Sequence, residues 1–111
     1  MSSLNTRDKL YIITHSEMSK GLQTAQIVHA TVEWCMKHYS LTKEWMDISN
    51  YVCVLQVPLE KDLKELLYKA NELKIKTAYF LEPDLNNSLT AIILQPGTVS
   101  KYLTKNLELL C

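Results

Sequence analysis

The chain has 111 residues, 47% of them hydrophobic, with twelve basic side chains balanced by twelve acidic ones. One domain with one real core is expected at this length, folding burying somewhat over ~60% of the unfolded surface. Charge neutrality excludes a global field that draws the protein to nucleic acid or an anionic membrane, so any polyanion binding requires a local patch.

The start, Met1 to Asp8, is polar and lacks the apolar core of a signal peptide, so residues 1–8 read as a flexible N-terminus and 9–111 as a single domain. No apolar run approaches the ~20 residues needed to span a bilayer. Cys35, Cys53 and Cys111 are odd in number, and the first two fall in apolar segments, which suits buried thiols in the cytoplasm.

Tyr11, Ile12 and Ile13 form a short β-favouring run that leads into the polar turn His15 to Lys20. The chain then reopens as a helix, with Leu22, Ala25, Val28, Val32, Cys35 or Met36, and Tyr39 recurring every three or four residues as its expected buried face. Ser40 to Ser49 predicts a short second helix capped by Ser40 or Thr42. Tyr51 to Val57, a continuous apolar run ended by Pro58, predicts a central strand buried on both faces.

Leu59 to Leu73 is the clearest helix, with Leu63, Leu66, Leu67, Ala70 and Leu73 on one stripe and Glu60–Lys64 and Glu65–Lys69 spaced as i,i+4 pairs. Thr77 to Leu81 and Leu89 to Leu94, separated by the turn formers Glu82 to Ser88, predict an antiparallel hairpin. Pro96-Gly97 breaks the chain, and Val99, Leu103, Leu107 and Leu110 follow at helical spacing. This order predicts an α/β fold, a three-layer α/β/α sandwich with a four-stranded mixed sheet.

The chemistry narrows by elimination. His15, His29, His38 and the cysteines show no tight metal-ligand spacing, so no metal is expected, and no cofactor is implied. Two glycines cannot build a glycine-rich phosphate loop, and no G-x-S-x-G elbow is present. What remains is the turn before the long helix, where backbone amides without intrahelical acceptors and the helix dipole favour an anion beside Lys20 and Gly21. The alternative for Lys20 is a solvated turn lysine.

Met18-Ser-Lys-Gly21 followed by Ala25-Gln26-Ile-Val-His29-Ala30 resembles the signature of the archaeal and eukaryotic type of peptidyl-tRNA hydrolase, M-x-K-G-K-x-A-A-Q-x-x-H-A. Gln95-Pro96-Gly97-Thr98-Val99-Ser100 is similar to that family's E-P-G-T-x-T, and the resemblance spans the chain from Lys9 to about Leu109. It implies hydrolysis of the ester between peptide and tRNA, with peptidyl-tRNA or tRNA as partner, and a homodimer; no membrane partner is expected from the composition. Carried over residue by residue, it implies Lys20, Thr98, Ser100 and Asp84 as catalytic candidates and Gly21, Gln26 and His29 as substrate-binding ones.

The resemblance also marks departures. The family's reacting lysine falls on Leu22, its arginine after the first strand on Thr14, and its aspartate after the third strand on Pro83 or, with a shift, Asp84, in a segment longer than the family's. The threonine after that aspartate matches Thr90 only if residues loop out.

Each candidate keeps an ordinary alternative. His29 can pair with Glu33 at i,i+4, Thr98 or Ser100 can cap the last helix, Asp84 can form a local turn, and Gln26 can be simply exposed. The expected cleft joins the turn at Met18 to Leu22, the loop at Glu82 to Ser88 and the segment at Thr98 to Ser100. Two functions are consistent with these residues: a weak peptidyl-tRNA hydrolase, or a non-catalytic member of the fold that binds tRNA, a small ligand or a protein.

Overall fold

The computed structural model describes residues 4–110; Met1 to Ser3 of the expected flexible start, and Cys111, lie outside the described residues. In chain order the elements are β1 (Lys9–His15), α1 (Lys20–Lys37), α2 (Tyr39–Ile48), β2 (Tyr51–Val57), α3 (Glu60–Glu72), β3 (Thr77–Glu82), a single 3-10 turn (Pro83–Leu85), β4 (Ser88–Leu94), α4 (Thr98–Thr104) and β5 (Glu108–Leu109). The strands form one mixed sheet in the order β3-β4-β1-β2-β5. β1 and β2 are parallel, with Lys9 opposite Tyr51 and His15 opposite Val57. β4 runs antiparallel to both β1 and β3.

Alternation along β1 distributes its side chains between two cores. Leu10 and Ile12 pack with Ala30 and Trp34 of α1, Trp45 of α2, and Ala78, Ala91 and Ile93 of the hairpin. Tyr11 and Ile13 pack with Leu63, Leu66 and Ala70 of α3 and with Leu55, Val57, Ile92 and Leu94. α3 buries Leu63, Leu66 and Ala70 of its expected stripe, with Leu67 partly buried and Leu73, past the helix end, exposed; its two ion pairs form, Lys64 to Glu60 at 3.4 Å and Lys69 to Glu65 at 3.2 Å.

Four expectations are corrected. The sheet has five strands rather than four, because the final helix stops at Thr104 and Glu108–Leu109 pair with Gln56 and Leu55 of β2. Turning the chain onto that edge gives part of β2 a hydrogen-bonding partner, while Leu103 and Leu107 still reach the α3-side core. β2 is not buried along its length: Tyr51 and Val52 are exposed and burial begins near Leu55. His38, not Ser40 or Thr42, occupies the cap position of α2.

The fourth correction concerns α1. Its buried residues are Gln23, Gln26, Ala30 and Trp34, whereas Val28, Val32, Met36 and Tyr39 are 57, 52, 77 and 70% exposed. At about 100° per residue the two stripes lie about 180° apart, so the apolar repeat read from sequence marks the outward face. The inward glutamines are stable there because each is hydrogen-bonded, as buried polar groups require. Gln23 Nε2 donates to the His15 carbonyl at 2.9 Å, tying the front of α1 to the end of β1.

Candidate active site

The polar corner of the molecule forms where the front half of α1 crosses the β3–β4 hairpin. Thr90 is the key to it. Phe80 pairs with Ala91 and Leu81 pairs with Leu89, so Thr90 is the extra residue of a β-bulge in β4. The bulge breaks alternation: Leu89 joins the α3-side core, Ala91 the α1-side core, and Thr90 also reaches α1. Bulges of this kind re-aim side chains beside functional sites. The bulged residue's carbonyl, lacking its ladder partner, accepts a 2.7 Å bond from Thr14 Oγ1.

From Thr90 a relay of hydrogen bonds crosses three elements. Thr90 Oγ1 donates to Gln26 Oε1 at 2.7 Å, and Gln26 Nε2 donates to Glu82 Oε1 at 2.9 Å. The carboxylate fixes the amide orientation, since only the NH₂ end of Gln26 can face it. Glu82 also accepts the Asp84 N–H at 3.3 Å, capping the 3-10 turn. The Gln26 amide first, then the Asp84 N–H and the nearby His29, hold the Glu82 carboxyl below the usual glutamate range. Glu82 is therefore an anion at neutral pH, an acceptor able to orient a water or a ribose hydroxyl.

His29 stands one turn beyond Gln26, its ring stacked on Phe80 with centroids 4.5 Å apart and planes at 19°. It stacks on the hairpin instead of pairing with Glu33. Leu22, Gln26 and His29 lie within about 60° of one another on α1, whereas Lys20 is rotated about 120° from Gln26. Lys20 is exposed in the first turn, where Ser19 Oγ accepts the Leu22 N–H at 3.3 Å. Gly21 meets no other atom where a Cβ would stand, so the backbone there remains open to a ligand.

The remaining candidates divide. Asp84 lies in the turn next to this corner with an exposed side chain, and only its backbone contacts Glu82. Thr98 and Ser100 lie elsewhere. Leu94 pairs with Tyr11, so the chain after β4 emerges beside the amino end of β1, while Lys20 follows its carboxyl end. The seven residues of β1 separate the two ends by about 20 Å.

Ser100 is buried, and its Oγ has no hydrogen-bond partner among the described residues, in a hollow it shares with Leu4, Asn5, Asp8 and Gln95 through Thr98. Thr98 is the first residue of α4, which Gly97 precedes at φ 141°, so neither hydroxyl caps the helix. The expected three-sided cleft is corrected to two sides. Glu82 and Thr90 join the site from outside the candidate residues: Glu82, expected as the first of the turn formers, ends β3, and Thr90, a match to the family's threonine only if residues loop out, is presented to Gln26 by a bulge that period-two alternation cannot reveal.

A mixed-sheet α/β domain with a glutamine–carboxylate–threonine relay between its first long helix and its hairpin defines the class. Residues 4–110 match the family model of Peptidyl-tRNA hydrolase PTH2. The chain belongs to that family, and is thus a peptidyl-tRNA hydrolase-like protein. It is also similar to a solved structure of a protein of unknown function from Agrobacterium tumefaciens strain C58, with a TM-score of 0.64 and 14% identity, covering 94% of this chain and 98% of that one. That likeness carries the fold alone. No curated protein matches in sequence. No helix among the described residues is long and apolar enough to cross a membrane.

Proposed function

We propose that this protein binds the 3′ end of a peptidyl-tRNA at the Gln26–Glu82–Thr90 corner and hydrolyses the ester slowly. The observation that carries this reading is the relay itself, which joins α1, β3 and β4 through two short hydrogen bonds at 2.7 and 2.9 Å. Such preorganised groups orient a nucleophilic water or a ribose hydroxyl without reorganising during the reaction. His29 with its Phe80 backing offers a ring for a terminal base, and the open front of α1 at Lys20 and Gly21 favours a phosphate.

The slowness follows from Leu22. It stands on the same stripe as Gln26 and His29, where the family's reacting lysine is implied, and it has no group to stabilise negative charge. Lys20 points to a different side of the helix and does not replace it. Loss of one oxyanion-type donor typically costs about 10²–10³ in rate. That same leucine favours the second reading, a binding protein without catalysis.

Release of the acyl group from N-blocked aminoacyl-tRNA separates them. Turnover by the wild type that disappears in Gln26→Ala supports the enzyme; binding without turnover at high protein concentration supports the second reading. The homodimer implied by resemblance finds an apolar surface in the outward stripe of α1, and sedimentation of the wild type against Val32→Glu tests it.

A further inference from the structure

We infer that the hollow at the amino end of β1 is an anion site that takes the phosphates of an RNA backbone. Two separate segments converge there: residues 5–9, a turn followed by the first residue of β1, and residues 97–101, the start of α4. The hollow, of about 440 Å³, has Arg7, Lys9 and Lys101 on its walls together with Thr98 and the buried Tyr11. Among the described residues none of the three cations has an ion-pair partner; the lysines paired there are Lys43, Lys64 and Lys69. Asp8 is the one carboxylate on the walls, and one of its oxygens already accepts the Asn5 N–H at 2.9 Å.

Three cations against one carboxylate leave a local positive excess on a chain whose net charge is zero. All three are exposed side chains, spread over an open surface and not convergent on one atom. That arrangement suits successive phosphates of a polyanion better than a single enclosed anion, and Arg7 brings a forked set of donors for phosphate oxygens. The hollow and the Gln26–Glu82–Thr90 corner lie toward opposite ends of β1, a strand about 20 Å long. A tRNA whose 3′ end occupies that corner has its more distant backbone to offer here; in this the inference rests on the reading of the corner given above.

The test is fluorescence anisotropy of labelled deacylated tRNA titrated with the full chain across a salt series. The triple variant Arg7→Ala/Lys9→Ala/Lys101→Ala is expected to lose about tenfold or more in affinity at low salt, and its slope of log K against log salt to flatten by about 2–3. The control Lys43→Ala/Lys64→Ala/Lys69→Ala changes the net charge by the same amount and is expected to keep the wild-type slope.

A triple variant with wild-type affinity and slope, a control that loses as much, or a wild type that does not bind tRNA would each overturn the inference. Inorganic phosphate titrated by NMR separates the sources: phosphate shifts confined to Arg7, Lys9 and Lys101, with tRNA affinity insensitive to their removal, would assign the site to a free anion and overturn the RNA reading. Acyl release measured on the same samples keeps the two conclusions apart. A flattened slope without turnover in any sample supports the patch and removes catalysis, whereas turnover with an unchanged slope removes the patch alone.

Discussion

The two ends of β1 solve opposite problems. At its carboxyl end, Gln26, Glu82 and Thr90 are fixed by short hydrogen bonds that leave few alternatives. At its amino end, Arg7, Lys9 and Lys101 surround an open hollow without ion-pair partners among the described residues. A closed network gives geometry and is sensitive to each member; a field of unpaired cations gives attraction and tolerates change. The contrast assigns positioning to the first end and capture to the second.

Breaking the closed network has the largest expected effect. Gln26→Ala takes the 2.7 Å acceptor from the buried Thr90 hydroxyl, leaving it only a 3.3 Å bond to the Phe80 carbonyl, and removes the amide that donates to Glu82; loss of a buried hydrogen bond costs about 1 kcal/mol. Urea denaturation reads that loss, and acyl release from blocked aminoacyl-tRNA should fall to background. An unchanged urea midpoint would show that the relay is not formed.

Leu22→Lys sharpens the comparison from the other direction, by adding a cation to the positioning end on the stripe of Gln26 and His29. Turnover is expected to rise at least about tenfold, roughly 1.4 kcal/mol of barrier. No increase would mean that the missing ammonium is not what slows the reaction.

Acid is a gentler probe of the same end. Backbone donation from Leu89 lowers the Glu60 carboxyl, and the Gln26 amide lowers that of Glu82. Carboxyls lowered in the folded state contribute fully above the unfolded value of about 4.3, and that contribution is lost as pH falls through the folded value. The urea midpoint should therefore drop on acidification through this window, and Glu82→Gln should flatten the drop.

The smallest effect is expected from Ser100→Ala. Its buried hydroxyl has no partner among the described residues and lies at the capture end, so acyl release should be unchanged. A clear loss would reunite the two ends in one site and undo the contrast.

Much of the frame was legible because local rules and tertiary packing agree there. Tyr51 to Val57 is a strand and α3 buries Leu63, Leu66 and Ala70 as its stripe predicts; the hairpin forms where the turn residues Glu82 to Ser88 separate two β-rich runs. The reading failed where one local pattern admits two placements. Val28, Val32 and Met36 repeat as well as any core stripe, yet the opposite face of α1 is buried because its glutamines find partners on the strands. Thr98 and Ser100 followed a convincing motif, but β4 runs antiparallel to β1 and delivers them to the far end.

Amino-acid order by itself determined the periodic elements, their sequence and the family resemblance, since these depend on neighbours within a few residues. Only tertiary structure decided which face of α1 turns inward, that a bulge presents Thr90 to Gln26, and that cations from residues 7, 9 and 101 share one hollow. Those outcomes depend on strand direction, register and the pairing of buried polar groups across the fold, which no stretch of local sequence encodes.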